Sequence, residues 1–175
     1  MSTVGASSTA SLAGSLGDII DGSRFWEDAQ MGTSAFDEFV EQYHRALDEF
    51  FRGNSEPAQA LYSRREDATL ANPFGPVVMG WAQIAQTTAR AAANYREGRA
   101  TAFETAARCV TPELAYLVEV ERFEAKVGGR DEVAIGALRV TSILRPEDGA
   151  WKIVHRHADP ITGARPAESV IQQAG

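Results

Sequence analysis

The sequence predicts an α+β fold, with helices first and a long, strongly curved antiparallel sheet after them. Two observations carry this. Apolar residues recur at helical spacing between Ser34 and Gly98, and alternate with a period of two between Ala100 and His157. The strand-like runs are separated only by tight turn chemistry, which joins neighbours as hairpins rather than through crossovers. A chain of 175 residues, 44% of them hydrophobic, suffices for one domain with a single sizeable core.

The first helix is the clearest element. Phe36, Phe39, Val40, Tyr43, Ala46, Leu47, Phe50 and Phe51 form one apolar face. Ser34 with Asp37 three residues on reads as a capping pair at its start, and Gly53 as its left-handed stop. A second helix is expected from Glu56 to Tyr62, with Ser55 as N-cap and Pro57 in the first turn. A third follows Gly80, carries Trp81, Ile84, Ala85, Thr88, Ala92 and Tyr95 on one side, and ends at Gly98. Four strands then read as Ala100 to Val110, Leu114 to Val127, Glu132 to Leu144 and Trp151 to His157. Thr111-Pro112-Glu113, Gly128-Gly129 and Pro146-Glu147-Asp148-Gly149 supply the turns. The chain is expected to divide into an N-terminal tail over 1–32, Ser/Ala/Gly/Thr-rich and mobile over its first 17 residues, with a short ordered piece at Phe25 and Trp26 expected to dock on the domain. The domain itself is expected to span 33–160, and a Pro/Gly-interrupted extension at 161–175 is expected to wrap the surface.

Composition narrows the partners. Lys and Arg number 17 against 24 Asp and Glu, a net charge of −7, which has the wrong sign for gripping a phosphate backbone or an anionic membrane. No apolar run approaches the roughly 20 residues that span a bilayer. The lone Cys109 asks for no oxidising compartment, and the opening MSTVGASSTASLAGSLG has neither a basic start nor a compact apolar stretch. A cytoplasmic protein is expected. Cys109 reads as a small buried strand residue, and Ser63-Arg64-Arg65-Glu66-Asp67 as a solvated charge cluster.

Three helices, a short strand pair around NPFGPVVMGWAQIA, four long strands and the ending GAWKIVHRHAD resemble the nuclear transport factor 2-like superfamily, in its SnoaL-like and ketosteroid-isomerase-like branch. DATLANPFG followed by a Gly-led helix is similar to the corresponding stretch of bacterial ketosteroid isomerases. WKIVHRH also resembles the association domain of the calcium/calmodulin-dependent kinase. The resemblance covers residues 34 to 160. It implies a cone whose open end is a pocket and whose outer sheet face is buried in a homodimer. It does not carry the isomerase chemistry across intact. The family's general base aligns with Asn72, and an amide cannot accept and return a proton at neutral pH. Its oxyanion-hole Tyr aligns with Ala46, with Tyr43 one turn earlier; its protonated Asp aligns with Ser142. Of the supporting tyrosines, Tyr62 is kept and the other is Thr88.

The same alignment sets Glu119, Glu121 and Phe123, then Leu138, Val140 and Ser142, then Val154, Arg156 and Ala158 on the inner face, and strand alternation agrees. Two carboxylates inside an apolar cone are unusual, and burial would raise their pKa values towards use as a general acid or base. Glu121 and Glu119 are therefore the catalytic candidates. Arg156, Asn72, Ser142, Tyr62 and Tyr43 are candidates for orienting a ligand, and Phe74, Phe123, Val140 and Ala158 for packing on it. The competing reading is that Glu121 and Arg156 simply pair and close the pocket floor. His155, His157 and Asp159 form an H-x-H-x-D run that would suit a divalent metal only with a third ligand from elsewhere, and His44 need not be near. With Arg156 inward the histidines face the dimer surface, so no metal is expected. No phosphate loop or nucleophile elbow is present, so no nucleotide cofactor is expected either. Three functions stay open: isomerase, dehydratase or cyclase chemistry on a small apolar or aromatic molecule, binding of such a molecule without turnover, and association.

Overall fold

The computed structural model describes residues 22–171, with side chains from Ser34 on. The tail expected over residues 1–17 and the docking of Phe25 and Trp26 side chains lie outside that description. The α+β expectation holds: three helices, α1 (Gly22–Phe51), α2 (Glu56–Ala60) and α3 (Trp81–Ala92), pack on one six-stranded sheet. The strands are β1 (Thr69–Ala71), β2 (Val78–Met79), β3 (Tyr95–Val110), β4 (Ala115–Val127), β5 (Val133–Glu147) and β6 (Ala150–Asp159). Their spatial order is β2-β1-β6-β5-β4-β3, an antiparallel meander β3 to β6 extended beyond β6 by β1, which runs parallel to it, and by β2 at the edge. The sheet curls around the helices without closing. No helix among the described residues is long and apolar enough to cross a membrane.

Helix α1 buries the expected face: Phe36, Phe39, Tyr43, Ala46, Leu47 and Phe51 all enter the core. It starts at Gly22 rather than Ser34. The preceding residues contain strong helix formers and no proline, and one Gly32 costs only about 1 kcal/mol, too little to break them. Ser34 is therefore interior, not a cap. At the other end Gly53 adopts φ +95 and stops the helix as expected.

Helix α3 ends at Ala92, six residues before Gly98. Asn94 supplies the stop, its side-chain amide donating to the carbonyls of Arg90 (2.8 Å) and Ala91 (3.4 Å). Tyr95 and Gly98 belong instead to β3. A Cβ at Gly98 would lie 2.6 Å from the Phe51 carbonyl oxygen, so this glycine permits the close approach of α1's end to the strand.

Alternation predicts the inner face correctly on β4 and β5, where Leu117, Glu119, Glu121 and Phe123 and then Leu138, Val140, Ser142 and Leu144 are all buried. On β6 it predicts Val154 inward, and the structure reverses this. The register jumps between Ile143 paired with His155 and Leu144 paired with Ile153, so Val154 is the extra residue of a bulge. Trp151 and Ile153 point inward before it, Arg156 and Ala158 after it.

Two further expectations are corrected. Cys109 is exposed, because it stands opposite Tyr116 on the outer face of the sheet. The Ser63–Asp67 segment is not merely solvated: Ser63 is fully buried and donates to Glu147 (2.9 Å), while Arg145 bridges Asp67 (2.8 Å) and Glu147 (2.6 Å). Those hydrogen bonds hold Asp67 below the usual carboxylate range.

Candidate functional site

Between α1, α2, α3 and the inner sheet face lies a cavity of about 50 Å³. Its walls are apolar, from Leu47, Phe50, Phe51, Ala58, Leu70 and Leu138, and Pro73 and Phe74 stand at its mouth. Phe74 is 51% exposed there, with its ring 6.0 Å from Tyr95. The turn holding it is closed by Asn72, whose Oδ1 accepts the Phe74 backbone N–H at 2.9 Å. Its amide nitrogen has no partner among the described residues.

The polar end is built from elements distant in the chain. Tyr43 on α1 donates its hydroxyl proton to Glu121 on β4. Arg156 on β6 donates through Nε to the Tyr43 oxygen (2.8 Å) and through a terminal nitrogen to Glu121 Oε2 (2.7 Å). Both Glu121 oxygens are thus engaged, and its side chain is fully enclosed. Burial first, opposed by Arg156 and reinforced by Glu121, pushes the Tyr43 hydroxyl well above its usual range. Burial also opposes the Arg156 charge, but Glu121, Tyr43 and Tyr62 outweigh it and hold the guanidinium more firmly protonated than usual. Tyr62 and Tyr95 reach the same cavity, each pushed up to about 12, chiefly by burial. Neither hydroxyl has a hydrogen-bond partner among the described residues.

The structure brings Glu121, Arg156, Tyr43, Tyr62, Asn72 and Phe74 together at one cavity. Glu119, Phe123, Val140, Ser142 and Ala158 face inward but line the core beside it. Phe123 stacks on Phe51 at 4.4 Å. Ser142 Oγ is buried without a partner among the described residues, the one such side-chain atom. Glu119 is held elsewhere: His44 on α1 approaches its Oε2 at 3.0 Å, and Thr105 donates to Oε1 at 3.0 Å. Sequence reasoning left His44 unplaced. Its ring stacks on Phe103 at 3.6 Å, and 75 residues separate it from Glu119, so only the fold joins them.

His155 and His157 turn away from the cavity. His155 Nδ1 meets Thr69 Oγ1 at 2.8 Å, and burial, followed by the charge of His157, lowers its pKa. Among the described residues no three His, Cys, Asp or Glu side chains are grouped to hold a metal ion.

A curled antiparallel sheet wrapped on three helices, with a polar cluster at the closed end of an apolar cavity, defines the nuclear transport factor 2-like class of folds. Within that class the chain belongs to the SnoaL-like domain family, whose profile matches residues 36–161. Solved structures agree on the fold. A ketosteroid isomerase-like protein from Erwinia carotovora atroseptica SCRI1043 is 16% identical with a TM-score of 0.61, over 74% of this chain and 96% of that one. A candidate scytalone dehydratase from Novosphingobium aromaticivorans DSM 12444 is 16% identical with a TM-score of 0.61, over 80% and 99%. A nuclear transport factor 2-like superfamily protein from Salmonella enterica serovar Typhimurium LT2 is 15% identical with a TM-score of 0.60, over 83% and 98%. Among proteins of curated function none matches.

Proposed function

We propose that the chain, through its 33–160 unit, binds a small apolar or aromatic molecule bearing one oxygen handle and moves a proton on it, in isomerase or dehydratase-type chemistry. One observation carries the reading. At the closed end of an apolar cavity, Tyr43 is bonded to both Glu121 and Arg156, while the Tyr62 hydroxyl beside them is unengaged. The unengaged Tyr62 hydroxyl and a spare Arg156 N–H are suited to donate to a carbonyl, enolate or phenol oxygen, where developing negative charge is stabilised by the guanidinium. With both oxygens engaged, Glu121 does not face a ligand directly. A ligand proton passes to the Tyr43 oxygen as the Tyr43 proton passes to Glu121, so the pair works as a relay. The ketosteroid isomerase-like and dehydratase names among the structural neighbours support the reaction class.

The test is deuterium exchange at the carbon next to the carbonyl of 2-tetralone, followed by NMR. Exchange above background that Tyr43→Phe abolishes, with binding kept, is the expected result. Binding without exchange assigns the chain to ligand binding without turnover, and no binding removes the cavity from function.

The outer sheet face supports the homodimer expectation as a second, compatible reading. Cys109, Tyr116 and Ile143 form one row across β3, β4 and β5, and Ala107 and Val118 continue the next. Such an apolar strip on an open sheet fits burial against a second copy. Sedimentation of the purified chain tests it, a monomer at all concentrations being the negative result.

A further inference from the structure

A second cavity, of about 290 Å³, adjoins the first at its mouth. The two share Asn72, Phe74 and Ala91, so these residues stand where the cavities meet. Its floor is the last turn of α3. There Arg90 is drawn back towards the cavity by a hydrogen bond from a terminal nitrogen to the Thr87 hydroxyl at 3.0 Å. Among the described residues no carboxylate lies within ion-pair distance of Arg90. Arg99, Arg108, Arg122, Arg139 and Arg145 each have an acidic partner; Arg64, Arg130 and Arg165 share the lack of one among the described residues but line neither cavity. A basic residue in a last helical turn also complements the helix dipole. That role needs no cavity in front of the guanidinium and no anchoring to Thr87.

The polar group at the closed end of the cone has the opposite character. Glu121 and Arg156 neutralise each other there, so an added anion would meet Glu121 as well as Arg156. A charged substituent therefore belongs outside, where water still reaches it. Asn72 marks the junction, its amide nitrogen free among the described residues to donate to a ligand passing between the cavities.

We infer that Arg90, with Asn72 at the junction, forms an outer subsite for a carboxylate, so that the ligand is an amphipathic acid: an apolar ring with an oxygen handle in the cone and an anionic tail at the mouth. This rests on the proposed function and deepens it. Thr87 pre-orients the guanidinium, and the side chain can present its remaining N–H pair to both carboxylate oxygens at once.

The test compares 4-ethylphenol with a series of 4-hydroxyphenylalkanoates of increasing chain length by titration calorimetry at low salt. The best acid is expected to bind wild type about threefold to fivefold more tightly than the phenol, the scale of a solvent-exposed ion pair. The preference should shrink as salt is raised. Arg90→Gln should abolish it while leaving 4-ethylphenol binding unchanged and lowering the melting temperature by no more than about 3 °C, the scale of the lost dipole and Thr87 contacts of an exposed side chain. Tyr62→Phe should weaken acid and phenol alike, which separates the cone from the outer subsite. Equal affinity of phenol and acids for wild type overturns the subsite and leaves the cone reading standing. A preference that survives Arg90→Gln overturns its assignment to Arg90. Failure of every probe to bind overturns both.

Discussion

Arg156 and Glu121 are the most consequential pair to break. Arg156→Met removes two hydrogen bonds, to Tyr43 at 2.8 Å and Glu121 at 2.7 Å, and leaves a fully enclosed carboxylate with Tyr43 alone. Hydrogen bonds involving a charged group contribute about 1.5–3 kcal/mol each, and stripping one partner from a buried pair costs about 3–5 kcal/mol in total. For a domain of this size that lowers the melting temperature by roughly 10 °C. Glu121→Gln is milder, about 2–3 kcal/mol, because the amide oxygen still accepts from Tyr43 or Arg156 while the guanidinium loses its counter-charge. Replacing both by Met removes both charges at once and should return stability to within about 1 kcal/mol of wild type, or above it. Urea unfolding of wild type, Arg156→Met, Glu121→Met and the double Met variant forms a double-mutant cycle with an expected coupling of at least about 3 kcal/mol. Single variants each costing under about 1 kcal/mol and adding to the double would refute a buried, mutually dependent pair. The double variant should also lose exchange on 2-tetralone while remaining folded, which separates the pair's role in stability from its role at the ligand.

Three other outcomes are expected. Tyr43, Tyr62 and Tyr95 are held above their ordinary range, chiefly by burial, so the folded chain keeps protons that the unfolded chain loses above about pH 10. Stability therefore falls as pH rises past that point, and near-ultraviolet absorbance should show three of the four tyrosines ionising late or only with unfolding. A Cβ at Gly136 would lie 2.2 Å from Phe123 Cζ, so Gly136→Ala must displace a ring wedged against Phe51; a loss of about 1–3 kcal/mol in urea is expected, and a neutral result would show the ring free to move. Exposed Cys109 should react with a thiol reagent in the native state, and more slowly at higher protein concentration as the outer faces of two copies cover it; a rate independent of concentration would count against that dimer.

How much of this was legible in the sequence depends on the range of the interactions involved. The α1 face, the stop at Gly53, the first two strand turns and the inner parity of β4 and β5 follow from local patterning and appear as expected, whereas the last turn narrows to Asp148-Gly149 because Pro146 and Glu147 still pair with β6. Where local signals competed, the reading slipped. Gly98 looked like a helix stop, but Asn94 reaches its carbonyl partners four residues earlier, and Gly98 serves a contact with Phe51 far back in the chain. On β6, period two has no means of registering the single extra residue at Val154, although Arg156 itself was placed correctly.

The site shows the same division more sharply. Facing inward and lining a cavity are different properties, because α1 fills much of the sheet's concave side. Glu119 and Glu121 are two residues apart on one face, so periodicity treats them alike. One meets His44 and the other meets Tyr43, adjacent residues on one helix that point to different neighbours. The choice between them is made by α1, whose rotation about its axis is fixed by Phe36 and Phe39 at one end and Phe51 at the other. A carboxylate pair legible as chemistry in the sequence is therefore divided by packing into a cavity-lining cluster with Arg156 and a separate anchor between helix and sheet. Turning α1 by one residue would break both pairings at once, which places the control of this site in the apolar face of a helix rather than in the charged residues themselves.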